Sequence, residues 1–120
     1  MGATILVVDD DEDVRDGLMG ALADEGYGVL SASNGVDALD VLHGDARPDA
    51  ILLDLTMPVM DGYAFRKRQL EDDALRAIPV ICCSADARAV LPGPGVWRLR
   101  KPFDVEQLLA VVARAVSRDP

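Results

Sequence analysis

The chain is 120 residues long, 50% hydrophobic and only 4% aromatic, which suffices for one hydrophobic core and leaves too little for a second. Its formal net charge of -9, from 21 acidic against 12 basic residues, disfavours nucleic-acid phosphate and anionic lipid as partners and favours a cation or a basic protein surface. No apolar run approaches the roughly 18 residues of a membrane-spanning helix, and the first four residues lead straight into a strand pattern without a charged n-region. One cytoplasmic domain over residues 1–120 is expected, with neither direct nucleic-acid binding nor a membrane partner.

From Thr4 to Asp9 a β-branched apolar run stops in the acidic cluster Asp9 to Asp13, which reads as a first buried strand. Val14, Leu18, Ala21 and Leu22 then recur at helical spacing, with acidic residues in the first turn, where the macrodipole favours them, and Gly26 as a stop. Gly28 to Ala32 is a shorter strand, and Asn34 is placed to cap a helix in which Val36, Leu39 and Leu42 share a face. Ala50 to Asp54 is an aliphatic run ending on a carboxylate, followed by the turn-forming Met57, Pro58 and Gly62. A helix from about Gly62 carries Tyr63, Phe65 and Leu70, and its basic triplet Arg66, Lys67 and Arg68 reads as a solvated face.

Pro79 to Cys83 is a fourth strand ending at Ser84. Ala85 to Gly95 holds only a brief helical possibility before the breaker Pro92-Gly93-Pro94-Gly95, so the fourth helix is expected to shrink to one or two turns. Val96 to Arg100 alternates in polarity, as suits an edge strand. Asp104 with Gln107 forms a capping-box-like start to a last helix, whose stripe is Val105, Leu108, Leu109, Val112 and Val116. Adjacent Cys82 and Cys83 read as reduced core thiols, and the lone His43 as a solvated helix end.

Strands alternating with helices over short connections imply an α/β fold: a flavodoxin-like, doubly wound, five-stranded parallel sheet with helices on both faces. The strand order 2-1-3-4-5 is taken from that fold class rather than from these residues. In such a sheet the carboxyl ends of strands 1 and 3 flank the switch point, which brings Asp9, Asp10 and Asp54 together. Two like charges about 4 Å apart repel by roughly 4 kcal/mol at an effective dielectric of 20, so the trio calls for a cation or raised pKa values. Magnesium, a hard ion held by one or two carboxylates plus phosphate oxygens, fits that need. Ser84 and Lys101 at the ends of strands 4 and 5 add a hydroxyl and a mobile cation, both complementary to phosphate.

These residues lie in motifs that together resemble the receiver domain of bacterial two-component response regulators, of the stand-alone type: Ile5 to Asp10, Leu53 to Gly62, Ile81 to Ala85, and Lys101-Pro102-Phe103. The resemblance implies a phosphorylation-dependent switch in which Asp54 accepts a phosphoryl group from a sensor histidine kinase or phosphotransfer protein. It further implies magnesium held by Asp10, Asp54 and the Thr56 backbone carbonyl with help from Asp9, phosphoryl contacts from Ser84 and Lys101, and a cis Lys101-Pro102 peptide. Self-catalysed transfer and hydrolysis would be weak, so the chain is not otherwise an enzyme. With no output segment after the last helix, the signal is expected to pass to a downstream protein, to another part of a longer parent chain, or along a phosphate relay.

Two other readings use similar residues. A magnesium-dependent phosphohydrolase of the haloacid-dehalogenase or Toprim kind also places carboxylates at strand ends, but the former wants a second acid two residues after its nucleophile, where this chain has Thr56. A flavin module would want Ser, Thr and backbone donors in the first loop, which here is acidic. The chain also departs from the receiver pattern: the aromatic residue usual three positions before the strand-5 Lys is Arg98, and Trp97 faces the other way by strand alternation. Dimerisation through the helix 4, strand 5, helix 5 face is therefore not expected, and the signal should leave through the remodelled loop or the first and last helices.

Overall fold

In the computed structural model, which describes residues 2–117, five aliphatic runs form one parallel sheet. The strands are β1 (Thr4–Val8), β2 (Gly28–Ala32), β3 (Ala50–Asp54), β4 (Val80–Ser84) and β5 (Val96–Arg100), in the order β2-β1-β3-β4-β5. The helices are α1 (Glu12–Asp24), α2 (Gly35–His43), α3 (Gly62–Leu70) and α4 (Val105–Ser117). Met1 and residues 118–120 of the expected domain lie outside the described residues. Among the described residues no helix is long and apolar enough to cross a membrane.

Side chains alternate across the sheet, so one fold builds two cores. Leu6, Val8, Ile51, Leu53, Val80 and Cys82 share one cluster with Ala38, Leu42 and Phe65 of α2 and α3. Ile5, Val7, Leu52, Ile81, Cys83 and Leu99 share the other with Leu22 of α1 and Leu108 and Val112 of α4. Both cysteines are free and buried, as expected of core thiols.

Helix starts follow local chemistry. Asp11 accepts from the amides of Asp13 and Val14 at 3.0 and 3.2 Å, Asn34 from that of Asp37 at 2.9 Å, and Asp61 from that of Ala64 at 2.9 Å. Asp104 and Gln107 cap each other's amides reciprocally at 2.8 and 2.9 Å. Three apolar residues of the expected helical stripes, Val14, Val36 and Val105, stay exposed, each in the first turn of its helix. His43 is exposed, as expected, but its Nε2 pairs with Asp72 at 3.2 Å, tying the end of α2 to the turn after α3.

Two expectations need correction, and they share one cause. The helix expected between β4 and β5 is absent rather than shortened, since residues 85–95 hold only a turn closed by the Ala89 amide on the Asp86 carbonyl at 3.1 Å. Pro92 and Pro94 supply no amide, and Gly93 and Gly95 take φ of 86° and 74°, so the segment cannot continue as a helix. Its carbonyls are satisfied from α3 instead. Arg66, read as solvated, has no exposed surface; its Nε donates to the Pro92 carbonyl at 2.9 Å, its Nη2 to the Pro94 carbonyl at 2.7 Å, and its Nη1 to Gln69 Oε1 at 2.8 Å. Gln69 in turn donates to the carbonyls of Leu75 and Ile78, both at 3.0 Å. A buried polar pair thus holds a Pro-Gly strap where a crossover helix would sit.

Candidate functional site

Strand register places the acidic residues. Val8 pairs with Leu53, so Asp9 and Asp54, each one residue further along, reach the carboxyl end of the sheet at the same level. Asp10 follows in the loop before α1, and one carboxylate oxygen from each of Asp9, Asp10 and Asp54 lies within 4.8 Å of the others. Asp54 and Asp9 are buried, at 8% and 5% exposure, whereas Asp10 is exposed. Burial pushes the Asp9 carboxyl above its ordinary value; the Asp11 amide, donating to Asp9 Oδ1 at 2.9 Å, opposes this, and the charges of Asp54 and Asp10 add to it.

On Asp54, Lys101 Nζ and the Thr56 amide both reach Oδ1, each at 3.3 Å. Lys101 stands just past β5, where its amide donates to the Ser84 carbonyl at 2.9 Å and a cis peptide joins it to Pro102. Ser84, one residue beyond the level of Asp54 on β4, accepts the Asp86 amide on Oγ at 3.0 Å. Asp9, Asp10, Asp54, Thr56, Ser84 and Lys101 therefore gather at the carboxyl ends of four strands, as the fold class requires.

Several supports have contacts that the sequence did not reveal. Arg15, in the second turn of α1, donates through Nη1 to the Asp9 carbonyl at 2.8 Å and steadies the loop that carries Asp10. Gly62 admits no side chain: a Cβ there would lie 2.8 Å from Leu55 Cα and 2.9 Å from the Asp54 carbonyl oxygen, so α3 starts pressed against the end of β3. Val59 holds φ of 68° at 82% exposure, an uncommon conformation for a β-branched residue, five positions after Asp54. An Asp-Gly pair is a visible turn signal, but the contacts of Arg15 and Gly62 depend on how the helices pack.

Known proteins fit this geometry. The family model for the response regulator receiver domain matches residues 5–113. Response regulator MprA of Mycobacterium bovis is 40% identical over 125 residues, covering 98% of this chain and 52% of that protein, so the chain spans about half the length of these curated relatives. A chemotaxis response regulator of Vibrio cholerae superposes with a TM-score of 0.84 at 30% identity, covering 96% of this chain and 99% of the other. The receiver domain of a Pseudomonas aeruginosa sensor histidine kinase, solved with magnesium coordinated in its active-site cleft, gives 0.85 at 27% identity and covers 98% and 99%. Sequence, sheet order and the position of the acidic cluster converge, and the chain belongs to the receiver domains of two-component response regulators.

Proposed function

We propose that Asp54 is the phosphoacceptor of this receiver, and that residues 1–120 act as one cytoplasmic switch domain. The observation that carries the reading is a buried carboxylate held by Lys101 at 3.3 Å and crowded by two further carboxylates within 4.8 Å. Such a trio is poorly balanced by one lysine, and its all-oxygen donor set is that of a hard divalent ion, so Asp9, Asp10 and Asp54 are the residues that would hold magnesium, joined by the Thr56 carbonyl as the receiver pattern implies. Magnesium, when bound, supplies charge neutralisation for the carboxylates and for phosphoryl oxygens.

The protein's own part is positioning. An Asp54 oxygen attacks the phosphorus of a phosphohistidine on a sensor kinase or phosphotransfer protein; the phosphorus–nitrogen bond breaks, an acyl phosphate forms, and the imidazole leaves with the bonding pair and takes a proton from water. Lys101 offsets the charge gathered on the new group, and Ser84 offers it a hydroxyl. Forming and losing an acyl phosphate relies on positioning and charge neutralisation more than on acid or base groups, and self-catalysed transfer and hydrolysis are weak. The acidic surface fits delivery of the signal to a protein rather than to nucleic acid.

Radiolabelled acetyl phosphate tests the reading. Label should enter the wild-type chain only with magnesium, and Asp54→Ala should lose at least about 95% of it, the behaviour of a removed nucleophile. Undiminished label in Asp54→Ala, or in excess EDTA, would sink the assignment.

A further inference from the structure

Arg15 is the one lysine or arginine between Asp9 and Ala46, and Asp9 to Asp13 and Asp16 flank it in the chain. On a helix such a residue is placed to pair with an acid three or four positions earlier, here Glu12 or Asp11. Its Nη1 donates instead to the backbone carbonyl of Asp9 at 2.8 Å, in a part-buried contact. Two peptides flank Asp10. The one before it is held by Arg15 through this carbonyl, and the one after it through the Asp11 amide, which donates to Asp9 Oδ1 at 2.9 Å. Asp9 has further holds of its own, because it is buried and its amide donates to the Ala32 carbonyl of β2 at 3.2 Å. Asp10 is exposed, so the direction of its carboxylate follows from those two peptides.

We infer that Arg15 is a positioning residue for magnesium: by holding the peptide before Asp10 it keeps that carboxylate turned toward Asp9 and Asp54. The inference rests on the phosphoacceptor reading, with its magnesium, and adds how an exposed ligand is kept in place before the ion arrives. Without the guanidinium the Asp9 carbonyl turns to water and the peptide is free to rotate, so the ion must order the loop as it binds and affinity drops by that cost. The charge of Arg15 acts in the opposite direction, since a cation on α1 repels a second cation at the start of that helix. Holding and repulsion therefore predict opposite signs when Arg15 is neutralised. The hold is the larger effect, because solvent and salt screen a charge at the helix surface, whereas the hydrogen bond acts on the peptide itself.

Titration calorimetry and nitrogen-15 NMR of the full chain provide the test, with magnesium alone as the probe. The wild type should bind the ion, and Arg15→Met and Arg15→Gln should each bind it about tenfold more weakly, the lower end of what losing a support behind a metal ligand costs. In the Asp10→Asn background, where the ligand that Arg15 aims is already gone, Arg15→Met should change nothing further. Without metal, the Asp10 amide resonance should shift in Arg15→Met while those of β3 stay in place. Unchanged or tighter magnesium binding in both Arg15 variants, a tenfold loss that persists in Asp10→Asn, an unmoved Asp10 amide, or shifts that spread through β3 would each overturn the positioning role alone. A wild type that binds no magnesium overturns the positioning role and the magnesium reading together.

Discussion

Asp9 sits at 5% exposure with Asp10 and Asp54 within 4.8 Å, and burial, offset by the Asp11 amide and reinforced by Asp54, holds its carboxyl above the ordinary 3.8. Between the unfolded and folded pKa values the folded chain binds more protons than the unfolded one, so stability falls as pH rises through that window and stays lower at neutral pH. Asp9→Asn keeps the shape and an oxygen for the Asp11 amide while removing one charge. In metal-free buffer at neutral pH the substitution should stabilise the fold by about 1 kcal/mol, the lower end of the repulsion between unit charges 4 Å apart. Urea melts measure this; the gain should vanish below the ordinary carboxyl range, and a destabilised variant at neutral pH would show that the trio is not strained. Asp9, Asp10 and Asp54 were legible in the sequence because each closes or follows an apolar run. Arg66 was not, because a basic triplet on a helix reads as solvent-facing until its partners, 26 and 28 residues later, come into place.

At the scale of elements, strands and caps followed from local chemistry, while the connection between β4 and β5 combines local breakers, Pro92 to Gly95, with a distant anchor, Arg66. Periodicity allowed a turn or two of helix in residues 85–95. The structure instead spends the Arg66 guanidinium on the Pro92 and Pro94 carbonyls, at 2.9 and 2.7 Å, and burial pulls that guanidinium below its ordinary pKa without a carboxylate partner. Arg66→Met fills similar space but leaves those two carbonyls and Gln69 Oε1 without their donor, for a loss of about 2–3 kcal/mol. Strand β5 should keep its pairing with β4, while the strap loosens and trypsin cuts faster after Arg88. Equal stability and equal cleavage in Arg66→Met would mean that the strap holds itself. The same anchoring explains how the sheet keeps five strands without a helical crossover before the last one: the segment tied down by Arg66 buries Ala89 and Leu91 in the cluster that holds Val80 and Cys82.

For the whole molecule, the missing helix changes which surfaces remain for assembly. A two-fold dimer brings the same patch of each copy together, so a dimer on the β5 edge would set Arg98 and Arg100 of one copy near those of the other. Each close like-charge pair costs between about 1 and 4 kcal/mol at 4 Å, depending on how much water stays. Asp86, which borders a cleft with Arg98 and Arg100, already holds Arg88 at 3.5 Å and so is a poor partner for a second copy. The strap offers Pro92 to Gly95 where a helix would have supplied a regular row of side chains. The chain should therefore sediment as a monomer both alone and with magnesium and saturating beryllofluoride, a phosphoryl mimic. Charge reversal at Arg98 or Arg100 should leave that behaviour unchanged in the absence of the mimic. A dimer that forms with beryllofluoride and is lost in Arg100→Glu would instead place assembly on this edge.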